Sequence, residues 1–336
     1  MPSMALPALG YPFASQVSPF AAEVDEACYL WGESMGIFCL GDAREYRRTQ
    51  VGWLAAYTCP LGTREGMQLL ADWQMWLFAF DDGYCDESDH GARSDAMVQR
   101  VVGLLGVLEG EAQPSAGDPF NVALGDLSAR LAGCARGYQR SRFACAVRGY
   151  FLALCWEAVN RSTGAPPRLD EYTRMRRHSG AVRTCTALAD VACGYELSAA
   201  DYDHPEVTAL TDMAVNIACW ANDILSYPKE ALRNRRVHSL PAVLRHERNL
   251  DAAQALDTTA QMHDREVARY LESEQRVRAW AGPALHRYLD DLRFWMSGNL
   301  QWSHSTGRYR HPADTGVDSP PDPVTSATNV TAGQAR

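Results

Sequence analysis

The stretch Glu206-Val-Thr-Ala-Leu-Thr-Asp-Met-Ala-Val-Asn-Ile-Ala-Cys-Trp-Ala-Asn222-Asp-Ile-Leu-Ser226-Tyr-Pro-Lys229-Glu230 decides how this chain folds. Its apolar residues recur at three- and four-residue intervals, the period of a helix with one buried face. The Met213–Trp220 portion is so apolar that the helix belongs inside the molecule. Asn222, Ser226 and Glu230 follow at i, i+4 and i+8 and stack along one face. An amide, a hydroxyl and a carboxylate are three hard oxygen donors, a set suited to octahedral Mg²⁺. The alternative, a polar stripe on a surface helix, fits poorly with the apolar run before it. Pro228 lacks the N–H that would bond to Ile224, so a kink is expected just before Glu230.

Outward from this segment the text reads as helix after helix. Ala123 to Asn160 carries the same period. Breaks fall at Gly110–Pro119, Ser162–Pro167, Ser198–Pro205 and Asn234–Ser239, each marked by Gly, Pro, Asn or Ser. No series of alternating strands and no internal repeat is present. The pattern predicts an all-α, single-domain bundle of about ten or more helices around a central apolar cavity. Pro2, Pro7, Pro12 and Pro19 mark residues 1–20 as an extended arm. Residues 21–310 form the helical domain, and 311–336, with Pro312, Pro320, Pro321 and Pro323 among Asp, Ser and Thr, read as a disordered tail.

Composition excludes several functions. Of 336 residues 46% are hydrophobic and 22% charged, enough for a large core. Lys+Arg 32 against Asp+Glu 41 leaves −9, the wrong sign for a nucleic-acid binder. An anionic substrate would need divalent cations or local arginines between it and such a chain. Lys229 is the only lysine among the basic residues. Ten cysteines run from Cys28 to Cys219 without a C-x-x-C pair or zinc spacing. No signal-type or 18-residue apolar segment occurs, so a reduced, cytoplasmic protein is expected, with no membrane insertion. Walker A, H-E-x-x-H, G-x-S-x-G and dinucleotide-loop spacings are absent.

A second segment, Trp73-Gln-Met-Trp-Leu-Phe-Ala-Phe-Asp81-Asp82-Gly-Tyr-Cys-Asp86-Glu87, takes an aromatic helix into a cluster of carboxylates. Ionised Asp at the edge of a core is costly unless neutralised, and Mg²⁺ is the natural partner. A solvated acidic helix end is the competing reading. Taken with Asn222, Ser226 and Glu230, the segment suggests several magnesium ions between facing helices. That arrangement suits a diphosphate, and an apolar, aromatic interior suits a hydrocarbon tail.

These residues carry a resemblance. The chain resembles the class I terpene cyclases (terpene synthases) of bacterial type over roughly Pro12 to Arg310. Asp81-Asp82-x-x-x-Asp86-Glu87 is similar to their aspartate-rich motif, in the variant with three intervening residues. Asn222-Asp223-x-x-Ser226-x-x-Lys229-Glu230 is similar to their N-D-x-x-S-x-x-K-E motif. Arg176, 46 residues before Asn222, stands where the family has its diphosphate-sensing arginine, and Gly180 where a backbone carbonyl faces the reacting carbon. Arg308-Tyr309 resembles the C-terminal pair that hydrogen-bonds the diphosphate, and Trp302, six before it, a pocket tryptophan. Trp156-Glu157, Arg161, Pro167 and Glu171-Tyr172 fit the run between these elements. The resemblance makes Phe78, one helical turn before the carboxylates, and Cys185 further pocket candidates, against the reading of both as plain core. Ser179 and the Val237–Leu244 stretch depart from the family's usual residues.

The resemblance implies a carbon–oxygen lyase with three Mg²⁺ held by Asp81, Asp82, Asp86, Asn222, Ser226 and Glu230. Arg176, Lys229, Arg308 and Tyr309 would stabilise the leaving diphosphate. The substrate would be farnesyl diphosphate, cyclised to a sesquiterpene hydrocarbon or alcohol; geranylgeranyl and geranyl diphosphate are the alternatives. A chain-elongating prenyltransferase would carry a second D-D-x-x-D in place of Asn222, Ser226 and Glu230. A non-catalytic all-α binding protein is the reading from another class. A homodimer is left open.

Overall fold

The computed structural model describes residues 6–86, 93–164, 166–232 and 238–309. Residues 1–5, Glu87, residues 233–237 and the tail 311–336 lie outside the described residues. Among the described residues fifteen α-helices follow one another: α1 Ala21–Ser34, α2 Ala43–Thr49, α3 Val51–Thr58, α4 Arg64–Phe80, α5 Ser94–Leu108, α6 Pro119–Cys134, α7 Gly137–Thr163, α8 Leu169–Ser179, α9 Val182–Thr186, α10 Ala189–Ala192, α11 Ala199–Tyr202, α12 Pro205–Leu232, α13 Leu240–Arg248, α14 Ala252–Arg278 and α15 Pro283–Ser305. A 3₁₀ turn, Gly307–Tyr309, closes the described chain. No strand occurs among the described residues, and none of their helices is long and apolar enough to cross a membrane.

The all-α expectation holds, with local differences. Ala123–Asn160 is two helices: Arg136 is extended, and its N–H donates to the Gln139 side chain, which starts α7 afresh. The single turns α9, α10 and α11 are too short for a 3.6-residue period to register. Helix α12 continues through Pro228 to Leu232. The arm packs on the bundle, where Tyr11 stacks on Phe13 and its hydroxyl pairs with His263 of α14 at 3.1 Å.

Helix α4 is divided between two faces. On one, Trp73, Trp76 and Phe80 form a stack with ring centroids 5.3 and 4.8 Å apart. The Trp73 indole donates to Thr184 Oγ1 and that of Trp76 to the Phe120 carbonyl, so this face is fixed against α9 and α6. Gln74, Phe78 and Asp81–Asp82, spaced by turns, share the other face. Close approach of α3 and α15 positions what stands opposite: a Cβ added to Gly298 would lie 2.3 Å from the Tyr57 carbonyl oxygen. Trp302, one turn further along α15, donates its indole N–H to the carbonyls of Thr49 and Gln50 at 3.0 and 3.1 Å.

Three helices meet at Asp223. One carboxylate oxygen takes Arg176 Nε and Nη2 of α8 at 2.9 and 2.8 Å; the other takes the Tyr172 hydroxyl at 2.7 Å and the Leu240 N–H, opening α13, at 3.0 Å. Asp223 is 1% exposed. Burial pushes its carboxyl up, against the opposing pull of Arg176 and the N–H and O–H donors. Removing one partner of such a pair leaves the other charge buried and uncompensated, at about 3–5 kcal/mol. Asp223→Ala is therefore expected to lower the urea-unfolding free energy by that much; a loss under 1 kcal/mol would show that the junction is held by apolar packing instead.

Candidate functional site

Helix α4 does not end at Phe80. Asp81–Asp86 continues it as a π-helical turn, and the Asp81 N–H reaches the carbonyls of both Leu77 and Phe78. In α-winding, residues five apart diverge around the axis. The i→i+5 bonding of a π turn brings residue i+5 back over residue i. The third intervening residue of the aspartate-rich segment is thus absorbed by the wider winding, and the backbones of Asp81 and Asp86 share a face. The side chain of Asp86 lies outside the description.

On α12, Asn222, Ser226 and Glu230 occupy one stripe of an unbroken helix. Asn222 and Glu230 are half-buried and Ser226 is buried. The orientation of the Asn222 amide is fixed from both ends: Oδ1 accepts from Arg176 Nη2 at 2.9 Å and Nδ2 donates to the Tyr309 hydroxyl at 2.7 Å. Asp223, one residue on, meets the same Arg176 through its Oδ1 and has the structural role described above.

The C-terminal turn ties the two motif helices together. Arg308 makes a two-pronged contact with Asp82, Nη1 to Oδ2 at 3.0 Å and Nη2 to Oδ1 at 2.8 Å. Its guanidinium lies 4.6 Å from the centre of the Phe78 ring, and its backbone carbonyl accepts from Lys229 Nζ at 2.8 Å. Burial works against the charge on Arg308, and Asp82, then Tyr309 and Asp81, outweigh it. Burial pushes the Tyr309 phenol up; Arg308 opposes this, and Glu230 adds to it. The aromatic wall continues below, with Phe78 and Trp302 5.7 Å apart and Trp302 edge-on to Tyr309 at 5.8 Å. Asp81, Asp82, Asn222, Glu230, Arg176, Lys229, Arg308, Tyr309, Phe78 and Trp302 thus converge between the end of α4, α12 and the terminal turn.

Gly180 and Cys185 sit deeper. Gly180 ends α8, and Ala181 after it adopts a left-handed φ of 58° before α9 begins. A Cβ on Gly180 would stand 2.4 Å from Cys219 Sγ, so this helix break presses on α12 one turn before Asn222. Cys185 is buried, and burial pushes its thiol up to about 12, which keeps it neutral. Sequence reading missed Asp223 and Tyr172 as an anchoring pair. Asp223's off-stripe position beside Asn222 was its one signal.

The donor chemistry fits a hard divalent cation. Every candidate ligand offers oxygen, and none offers sulfur or imidazole. Among the described residues no three His, Cys, Asp or Glu side chains form a metal-holding group by themselves. A cation at either motif therefore needs further ligands from water or from an anion lying between the two. Three cationic side chains, Arg176, Lys229 and Arg308, surround that space.

Comparison with known proteins agrees. Residues 72–269, which include both motifs, match the model of terpene synthase family 2, C-terminal metal binding. The chain is 39% identical over 305 residues to a (+)-T-muurolol synthase ((2E,6E)-farnesyl diphosphate cyclizing) of Roseiflexus castenholzii, covering 90% of this chain and 93% of the relative. It is 33% identical to a 4-epi-cubebol synthase of Streptosporangium roseum, covering 90% and 92%. Among solved structures, the SVS_A2 protein from ancestral sequence reconstruction superposes with a TM-score of 0.84 at 28% identity, over 94% of this chain and 93% of the other. Wild-type cucumene synthase superposes with a TM-score of 0.77 at 25% identity, over 89% and 100%. With a family match across both motif helices and relatives aligned along nearly its full length, this chain belongs to the terpene synthase family.

Proposed function

We propose that the chain is a Mg²⁺-dependent sesquiterpene cyclase that ionises farnesyl diphosphate and closes the resulting cation into a ring. The observation that carries this reading is the convergence of oxygen donors from two motif helices with Arg176, Lys229, Arg308 and Tyr309 around one space. The names of the relatives at 39% and 33% identity support the fifteen-carbon substrate.

Metals, three in this reading, would be held by Asp81, Asp86, Asn222, Ser226 and Glu230, and would supply charge neutralisation of the diphosphate. The chain's own residues do the rest. Arg176 and Lys229 donate to the diphosphate, and Tyr309, which accepts from Asn222, keeps its own proton to donate. Arg308 is positioned by Asp82, which accepts through both oxygens and so serves the C-terminal turn more than a cation. Donors aimed at the leaving group stabilise charge as it develops. Phe78 and Trp302 wall the space below and exclude water, which would quench the cation. Each aromatic face offers a desolvated cation about 1–2 kcal/mol.

Purified protein is to be incubated with farnesyl, geranyl and geranylgeranyl diphosphate and the products separated by gas chromatography–mass spectrometry. Cyclic fifteen-carbon products are expected. Asp81→Ala, Asn222→Ala and Glu230→Ala should each slow diphosphate release at least a hundredfold, equivalent to about 2.7 kcal/mol or more on the barrier. Wild-type rates in Asn222→Ala at limiting Mg²⁺ would remove α12 from the metal site.

The role given to Asp82 has its own test. Asp82→Asn weakens a charge-assisted pair, so amide hydrogen exchange across 306–309 should accelerate at least tenfold while exchange in α12 stays put. Unchanged exchange at 306–309 would show that Trp302, Thr306 and Lys229 hold the turn without Asp82.

A further inference from the structure

Helix α12 carries a fault between two of its candidate ligands. Pro228 has no N–H to give the Ile224 carbonyl, and its ring crowds that turn. Yet the helix runs on to Leu232, and past the proline it still presents Lys229 and Glu230. Packing from outside the helix therefore has to hold the joint. Ile224, which owns that carbonyl, and Tyr227, which precedes the proline, are fully buried. They lie on a different face of α12 from Asn222, Ser226 and Glu230. The two form one cluster with Leu256 and Ala260 of α14. The large side chain packed against that cluster is Leu9 of the arm; its companions there, Ala242 and Ala252, are small. The Tyr227 hydroxyl also accepts from Arg245 of α13 at 2.9 Å.

Leu9 arrives there in a fixed register. From residue 6 to residue 15 the arm alternates, odd-numbered residues half-buried and even-numbered ones exposed, the two-residue period of an extended segment lying on a surface. Three anchors set its position. The Tyr11 hydroxyl pairs with His263 of α14, the Phe13 ring lies 5.7 Å from the Arg293 guanidinium of α15, and the Ser18 N–H donates to the Ala56 carbonyl of α3 at 3.1 Å. A slip of one residue would turn Ala8 or Gly10 to the bundle in place of Leu9. On the reading proposed above, we infer that the arm is a strap and Leu9 a positioning residue. By covering the Ile224–Tyr227 turn it keeps α12 wound across Pro228, and so holds Glu230 in line with Asn222 and Ser226 for the cation. Helix α14, on the other side of the same cluster, has no proline between Ala252 and Arg278 and needs no such support.

The test is a double-mutant cycle of Leu9→Ala and Pro228→Ala, singly and together. One readout is amide hydrogen exchange of the metal-free full chain; the other is the Mg²⁺ concentration that half-saturates diphosphate release from farnesyl diphosphate. Leu9→Ala is expected to speed exchange across 224–232 at least tenfold, to change exchange in α14 less than threefold, and to raise the half-saturating Mg²⁺ at least fivefold. Leu9→Ile, which keeps the bulk, should restore wild-type values. With Pro228→Ala, which returns the missing N–H, Leu9→Ala should move neither readout more than twofold. Unchanged exchange across 224–232 or an unchanged Mg²⁺ requirement in Leu9→Ala would overturn the inference. So would an equal effect with and without Pro228, or equal acceleration in α14, either of which would make Leu9 ordinary packing. Should Pro228→Ala not fold, the contrast between 224–232 and α14 in Leu9→Ala decides. If the wild type releases no diphosphate from any prenyl diphosphate, the cyclase reading falls, and the exchange readout still decides whether Leu9 holds α12 across Pro228.

Discussion

Everything at this site hangs from a buried carboxylate. Asp223 holds the Arg176 guanidinium, the Tyr172 hydroxyl and the Leu240 N–H at once, and so fixes α8 and α13 against α12. Arg176, held to Asp223 through Nε and Nη2, also sets the Asn222 amide through Nη2. Asn222 in turn donates to Tyr309. A charge pair with no ligand of its own thereby orients the amide proposed as a metal ligand and, through it, the terminal turn. This places the cost of burying two ions where it secures a geometry, since such pairs contribute little net stability.

The terminal turn completes the enclosure by the same economy of charge. Arg308 reaches across to Asp82 on the π turn of α4, Lys229 secures the Arg308 carbonyl from α12, and Phe78 lies beneath the guanidinium. The −9 charge of the chain is therefore a poor guide to the local field. Three of its cations face the space between the motifs, where a diphosphate with divalent ions would sit.

The stripe Asn222, Ser226, Glu230 was legible because oxygen donors at i+4 steps in an otherwise apolar helix have a local, periodic signature. The fold class was legible for the same reason. Arg308, Tyr309 and Trp302 have no such signature; only family resemblance singled them out, because their roles depend on contacts made 226, 87 and 253 residues away in the chain. The division of roles between Asn222 and Asp223 was hidden because both meet Arg176 of α8, and only the packed structure shows that Asp223 also reaches Tyr172 and Leu240 while Asn222 reaches Tyr309. The π turn escaped as well. A three-residue spacing between Asp82 and Asp86 looks like a misregister in α-winding, and becomes a register only once the backbone widens.

The central claim is that the two motifs and the terminal turn form one receptor for a diphosphate bridged to divalent metal. Calorimetric titration of inorganic diphosphate into the full chain tests it most directly, once with millimolar Mg²⁺ and once with EDTA. The account expects saturable binding with Mg²⁺ and none without it. Equal heats in both titrations, or no binding in either, would contradict it.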